Sequence, residues 1–353
     1  MLPQSCASGK HLTLGAMNLS DAIQCIERTA PLSGAASWDK CGVQILGTRD
    51  TCAKLAVALD PAPLVMESAL SWGADLVLTH HPLSLEPRFL DADTDFLRVA
   101  RQFLTQGAWL YAAHTSLDVN PQGPAGWLAR ELDLKDPAIL DPTVTTAYVV
   151  LRFDMDEPAP AKAGDWPHLA SVLDVSGPSN GQMRITCGND AVEAVKARIS
   201  RDLSRVVHFE LLQTTLDPMT QGFGLVGDLN EPLAFQALLA KLENLLGQGA
   251  WAMIGPELGK DALISRLAYC PGSGGSAMAR AAAKGADIYI TGDVRYHAAL
   301  EAPLPVLDVG HFSLEEEMMR CFARELGDDP AMGSVEVRFF TGSDPRRVIH
   351  AAG

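Results

Sequence analysis

From residue 18 onward, short apolar runs alternate with longer amphipathic stretches. Ser20 stands where an N-cap belongs for a helix over 21–29, with Ala22, Ile23 and Ile26 on one side. LAVALD (55–60) reads as a buried strand. The stretch 63–72 reads as a helix opened by Pro63 and closed by Gly73, and ADLVLT (74–79) as the next strand. A helix near 94–106 closes at Gly107, and WLYAAHTSLD (109–118) carries a third strand into a loop. Strand, helix, strand, helix, strand is the rhythm of an α/β sheet with helices on its faces.

The pattern changes between about 145 and 221. AYVVLRF precedes a Pro/Ala-rich loop (154–168), and QMRITCG, a helix at 190–201 and VVHFELLQTT follow. Alternating strands flanking a helix, with Gly177-Pro178-Ser179-Asn180-Gly181 as a turn, predict a small α+β insert whose pattern suits a ferredoxin-like sandwich. From GFGLVGDL (222–229) the α/β rhythm resumes. It runs through a helix to Leu246, the strand LAYC, a helix from Ser276, the strand ADIYIT, a short helix at 294–300, the strand PVLDVG and a helix at 314–326. The expected organisation is a first α/β lobe at 18–145, an inserted α+β domain at 146–221 and a second α/β lobe at 222–353, with 1–17 a flexible leader.

The outer segments echo each other. Gly73-Ala74-Asp75-Leu76-Val77-Leu78-Thr79 reappears as Gly285-Ala286-Asp287-Ile288-Tyr289-Ile290-Thr291, and His114-Thr115-Ser116-Leu117-Asp118 as His311-Phe312-Ser313-Leu314-Glu315. Two matches in the same order indicate an internal duplication, with two related α/β halves facing each other. Equivalent strand ends then converge on one site, as ligands do at the carboxyl ends of open α/β sheets.

Composition narrows the function classes. No stretch approaches the ~18 apolar residues of a membrane span, and the N-terminus lacks the apolar run of a secretory signal, so a cytoplasmic protein is expected. The net charge of −15, with Arg346-Arg347 the only adjacent basic pair, argues against nucleic acid as a partner. Seven scattered cysteines without a C-x-x-C pair argue against a zinc knuckle, a redox motif or a disulfide framework.

The chemistry-bearing residues cluster at strand ends. The strand ADLVLT runs into His80-His81-Pro82, while His114 and Asp118, and likewise His311 and Glu315, are four apart, a spacing that shares one face of a first helical turn. Imidazole plus carboxylate without thiolate suits Zn, Mn, Fe(II), Co or Ni and disfavours calcium. Asp118 and Glu315 are placed to bridge a pair of ions about 3.5–4 Å apart. Clustered carboxylates without a cation would resist burial. Gly272-Ser273-Gly274-Gly275-Ser276 reads either as an anion cradle or as a tight turn allowing close packing; it lacks the spacing of a nucleotide loop. Thr291-Gly292-Asp293 and His297 occupy the strand end equivalent to His80-His81. Asp293 reads either as a helix cap or, with His297, as a group facing a ligand or substrate. The Trp38-Asp39 loop either covers a pocket or packs.

Taken in order, Trp38-Asp39-x-x-Gly42, Thr79-His80-His81-Pro82, His114-x-x-x-Asp118, Gly222–Gly224, the turn at 272–275, Thr291-Gly292-Asp293 and Gly310-His311-x-x-x-Glu315 resemble the GTP cyclohydrolase 1 type 2 homologue family, the NIF-three-like proteins. The likeness covers most of 18–145 and 222–353. It implies a dinuclear metal centre, two divalent ions per chain, held by His80, His81, Asp118, His311 and Glu315. It also implies a two-lobed α/β fold, a toroidal homohexamer and, in some members, a small inserted domain. Lys40-Cys41 stands where that pattern has an Asn and an apolar residue, and Ser84-Leu85 where it has a bulkier apolar pair. The expected function is a metal-dependent hydrolase in which a metal pair acidifies a water and His114, or else His297, shuttles the proton. By resemblance the small-molecule substrate is a purine nucleotide, which a chain of this charge would have to compensate through the metal or through Lys40, Arg88 or Arg295. The competing reading is a non-enzymatic metal chaperone or regulatory scaffold, for which no open coordination position is needed.

Overall fold

The computed structural model describes residues 17–155, 161–169 and 171–347. The leader expected at 1–17 lies outside them apart from Met17, as does 156–160 of the expected loop. The first helix spans Leu19–Thr29 with Asn18, not Ser20, at its N-cap. The Met17–Asn18 ladder on Thr51–Cys52 and the bond from Leu19 N to Asp50 O fix its start two residues earlier than the side-chain signal.

Five strands form the first sheet, in the order Glu336–Phe339, Lys54–Ala58, Leu76–Thr79, Trp109–Ala112 and Gly42–Ile45. The first four are parallel and the last is antiparallel. Leu76–Thr79 is buried throughout, as a parallel strand covered on both faces requires. The covering helix Asp95–Gln106 is capped by the Thr94 side chain and closed by Gly107 in the left-handed conformation. The second sheet runs Ala252–Ile254, Val306–Asp308, Ile288–Gly292, Leu263–Ser273, Met219–Ala234 and Leu134–Thr146. Its Val306–Asp308, Ile288–Gly292 and Leu263–Ser273 strands are parallel and the flanking ones antiparallel.

Two strands cross the boundaries expected from sequence. Leu134–Thr146 pairs along Met219–Ala234 in the second sheet, and Glu336–Phe339 closes the edge of the first sheet on Lys54–Ala58. Apolar patterning finds a strand and its faces but carries no information about its partner across a long connection.

The echo in the sequence has a structural counterpart. Gly73 and Gly285 both take the left-handed turn that ends a helix (φ +92° and +73°). Asp75 then accepts from the amides of Ala53 and Lys54 at 2.8 and 3.0 Å, and Asp287 from those of Ser265 and Arg266 at 2.7 and 2.8 Å. Each aspartate pins its central strand to the neighbouring one.

The insert is a four-stranded antiparallel sheet in the order Glu210–Gln213, Tyr148–Asp154, Gln182–Gly188, Val172–Ser179. With the Ala161–His168 turn and the Val192–Asp202 helix as crossovers, this is the topology of a ferredoxin-like sandwich. Its hairpin turns at Asn180-Gly181, both at positive φ, as a two-residue type I′ connection demands. The core is the insert's own: Leu151, Trp166, Ile185 and Ile199.

One apolar cluster joins the two large lobes. The helix His311–Asp328 inserts Leu314, Met318, Met319 and Phe322 between Leu55, Val57 and Leu78 of one sheet and Leu267, Ile288 and Ile290 of the other. Burying four such side chains contributes on the order of 1.5–3 kcal/mol each. The same helix therefore carries the packing between lobes and, at its first turn, His311 and Glu315. Among the described residues no helix is long and apolar enough to cross a membrane, and six cysteines are free.

Replacing Asp287 by Ala strips two strand amides of a charged acceptor. It is expected to lower the unfolding free energy by about 1–3 kcal/mol in a urea titration. An unchanged midpoint would contradict the pinning role.

Candidate metal centre

Four strand ends of the two sheets supply the site. His80 and His81 follow Leu76–Thr79, His114 follows Trp109–Ala112, Asp293 follows Ile288–Gly292, and His311 follows Val306–Asp308 by way of Gly310. All are carboxyl ends of parallel strands, where open α/β sheets place their ligands. His114 caps the short helix Thr115–Asp118, and His311 opens the long helix, so each carboxylate four residues on lies one turn above its histidine.

Every one of the four imidazoles is held from behind. Nδ1 of His80 meets the Ala113 carbonyl at 2.8 Å, and that of His81 meets Asp60 at 2.7 Å. His114 meets Asp39 and His311 meets Asp293, both at 2.9 Å. Each partner is an acceptor, which assigns the ring proton to Nδ1 and leaves a lone pair on Nε2. Asp39 is itself locked by the Thr115 amide and hydroxyl and by the Cys41 thiol. An imidazole whose far nitrogen donates to a carboxylate or carbonyl is the usual form of a metal-binding histidine.

The Nε2 atoms converge on two carboxylates. His80 Nε2 is 3.6 Å from Asp118 Oδ1 and 3.5 Å from Glu315 Oε1. Glu315 Oε2 is 3.1 Å from His81 Nε2 and 2.7 Å from His311 Nε2, and those two nitrogens are 3.4 Å apart. Donor atoms of His80, His81 and His114, of His81, His311 and Glu315, and of His80, Asp118 and Glu315 form three groups, each within 4.8 Å. The buried His80 Nε2, Asp118 Oδ1 and Glu315 Oε2 make no hydrogen bond. With protons on Nδ1 alone, these short approaches bring lone pair to lone pair, and a buried polar atom left that way costs free energy unless a proton or a metal ion takes it up. The donor set suits a divalent ion of the zinc or manganese type.

Without such an ion, protons fill the pocket. Burial disfavours a charged His81 ring, but the Asp60 and Glu315 carboxylates outweigh it and push its pKa up to about 10. His80 and His311 are raised in the same way, burial being overcome by Asp118 and Glu315 for the first and by Glu315 for the second. Burial raises Asp118. It also opposes the charge on Glu315, yet the surrounding imidazoles, His80 foremost, hold that carboxyl well below the ordinary glutamate range. Asp39 is likewise held below the ordinary aspartate range, burial being outweighed by His114 and Thr115.

The glycine-rich turn serves packing. A side chain on Gly272 (φ +66°) would begin 2.2 Å from Glu315 Oε1, and one on Gly274 2.3 Å from the Thr291 hydroxyl. The Gly274 amide is spent on that hydroxyl at 3.0 Å. The turn clears a path for the Glu315 carboxylate rather than cradling an anion.

The structure thus brings together His80, His81, Asp118, His311 and Glu315, and adds His114 to the same cluster. Asp293 stands behind His311, with Oδ2 on its Nδ1 and Oδ1 on Arg346. His297 is not brought in: it lies exposed on the surface helix Tyr296–Leu300, its ring against Tyr296. Asp60 was invisible in the sequence, because an acidic residue after an apolar strand is an ordinary strand terminus. Asp39 had a signal in the Trp38-Asp39-x-x-Gly42 motif, and Trp38 meets the His114 ring nearly at right angles, centroids 6.0 Å apart.

Fold and site define a two-lobed α/β protein with a histidine–carboxylate cluster between its lobes. The Duf34/NIF3 (NGG1p interacting factor 3) family model matches residues 17–345, and the chain belongs to that family. A Bacillus subtilis relative named GTP cyclohydrolase 1 type 2 homolog is 26% identical over 341 positions, covering 86% of this chain and 90% of the relative. A Mycobacterium tuberculosis relative of the same name is 29% identical over 343, covering 85% and 88%. A Bacillus cereus protein related to NIF3 has the same fold at a TM-score of 0.75 and 21% identity, covering 95% of this chain and 100% of that one.

Because protons and a metal ion compete for the same lone pairs, adding Zn²⁺ to the metal-free protein near pH 7 is expected to release protons. Its affinity should then rise between about pH 6 and pH 9. Calorimetry in buffers of different ionisation enthalpy reads this directly, and identical heats in all buffers would contradict it.

Proposed function

We propose that the cluster holds two divalent ions and that the chain is a metal-dependent hydrolase acting on a purine nucleotide or a related small molecule. The observation that carries this is the attitude of Glu315. One oxygen faces His80, on the Asp118 side, and the other faces His81 and His311, so this one carboxylate would serve both ions. Two ions, when bound, supply a water acidified towards a pKa of about 7 and neutralise charge developing on the substrate.

The chain's own residues do the rest. Asp60, Asp293 and the Ala113 carbonyl orient three imidazoles; Asp39, kept ionised, orients the fourth. In this reading His114 accepts a proton at Nε2 and returns it to the leaving group, with Asp39 stabilising the charged ring. A groove of about 600 Å³ has Asp39 in its lining, with Lys40, Cys41, Leu83, Ser84, Leu85 and Arg88 among others and Glu86 also present. Lys40 and Arg88 are the cations a phosphorylated substrate needs on a chain of net charge −15. Lys40, Cys41, Ser84 and Leu85 are the positions at which the chain departs from the family pattern, so the groove is where its substrate preference would differ. The names of the bacterial relatives support a guanine nucleotide as the first substrate to try. Exposed Phe89, Leu90 and Leu104 are consistent with the homohexamer the resemblance implies.

His114→Ala in the metal-loaded protein is expected to retain about two ions per chain while GTP hydrolysis falls by roughly 10²-fold or more. Loss of the ions would make His114 a ligand. Absence of turnover in the wild type across nucleotides and phosphoesters would favour metal storage instead.

A further inference from the structure

We infer that Arg346 is a positioning residue for the metal centre, acting through Asp293 on His311, and that the C-terminal tail is the strap delivering it from one lobe to the other. This rests on the metal-binding reading above. The tail leaves the first sheet at Glu336–Phe339, where the Phe340 amide donates to the Val57 carbonyl at 2.8 Å and the Phe340 ring packs on Trp72 at 5.6 Å. It then crosses to the long helix, the Gly342 amide donating to Glu316 Oε1 at 2.9 Å. At its far end the Arg346 guanidinium binds Asp293 Oδ1, while Asp293 Oδ2 receives His311 Nδ1. Arg346 Nη2 also lies 3.5 Å from where a side chain on Gly310 would begin, beside the turn that starts the His311 helix.

Asp293 needs such a clamp. It is a non-glycine residue at φ +52°, and its side chain is 39% exposed, so water competes for the carboxylate that must face His311. Its counterpart Asp60, behind His81, pairs among the described residues with no arginine or lysine. The two facing imidazoles are therefore held unequally: His81 by a carboxylate alone, His311 by a carboxylate that is itself gripped from the opposite lobe. Partners of metal ligands set affinity by about 10–100-fold when removed, and a residue acting one contact further out should command a smaller share.

The test is Zn²⁺ affinity by competition with a chromophoric chelator, on the full chain, in wild type, Arg346→Ala, Arg346→Lys, Asp293→Asn and the Arg346→Ala/Asp293→Asn double variant. Arg346→Ala is expected to weaken binding by about three- to tenfold and Asp293→Asn by more. The double variant should be no worse than Asp293→Asn alone, because both act through one contact. Arg346→Lys should recover part of the loss. Added salt should weaken the wild type towards the Arg346→Ala value, since the guanidinium is 53% exposed. Unchanged affinity in Arg346→Ala, or penalties that multiply in the double variant, would overturn the inference. A wild type that takes up no Zn²⁺ would instead overturn the metal reading beneath it. Equal melting temperatures of the metal-free proteins separate positioning from folding.

Discussion

Two imidazole nitrogens, His81 Nε2 and His311 Nε2, face each other at 3.4 Å with the carboxylate of Glu315 against both. Each ring turns its Nδ1 towards a carboxylate acceptor, Asp60 or Asp293. Like-signed lone pairs hold this arrangement only with positive charge between them, whether protons or a metal ion. The rest of the molecule is arranged around that requirement. His81 comes from one sheet and His311 from the other, and neither lobe alone contains the opposing pair.

That constraint explains why the packing helix also carries His311 and Glu315. His311–Asp328 buries its apolar side chains between the sheets and so fixes its own axis. Glu315, one turn in, inherits that rigidity and is 4% exposed. A side chain on a helix locked by the core needs little local support, whereas His311 at the helix start and Asp293 at a strand end are nearer the surface. The tail crossing from the Glu336–Phe339 strand of the first sheet to Asp293 makes up the difference.

Much of this was legible in the residues. Parallel strands buried on both faces leave uninterrupted apolar runs, so the βαβ rhythm, the insert and the duplicated Gly-Ala-Asp and His-x-Ser-Leu motifs stood out, and the motifs led to the five converging donors. Strand partnership did not: Leu134–Thr146 and Glu336–Phe339 read as strands, but the sheets they join depend on long-range pairing. The orienting residues were only partly visible. Asp39 and Asp293 sit in patterned segments, while Asp60 and Arg346 act through contacts 21 and 53 residues away in sequence, where no local spacing signals them. His297 was placed by the motif, but its helix carries the ring to the exposed surface rather than into the cluster.

The central claim is the proposal that the cluster holds two ions with Glu315 serving both, and metal stoichiometry tests it most directly. Elemental analysis after reconstitution with Zn²⁺ and desalting, on wild type, Asp118→Ala and Glu315→Ala, is expected to give about two, one and no ions per chain. A wild type holding none, or a Glu315→Ala variant that keeps both, would contradict the account.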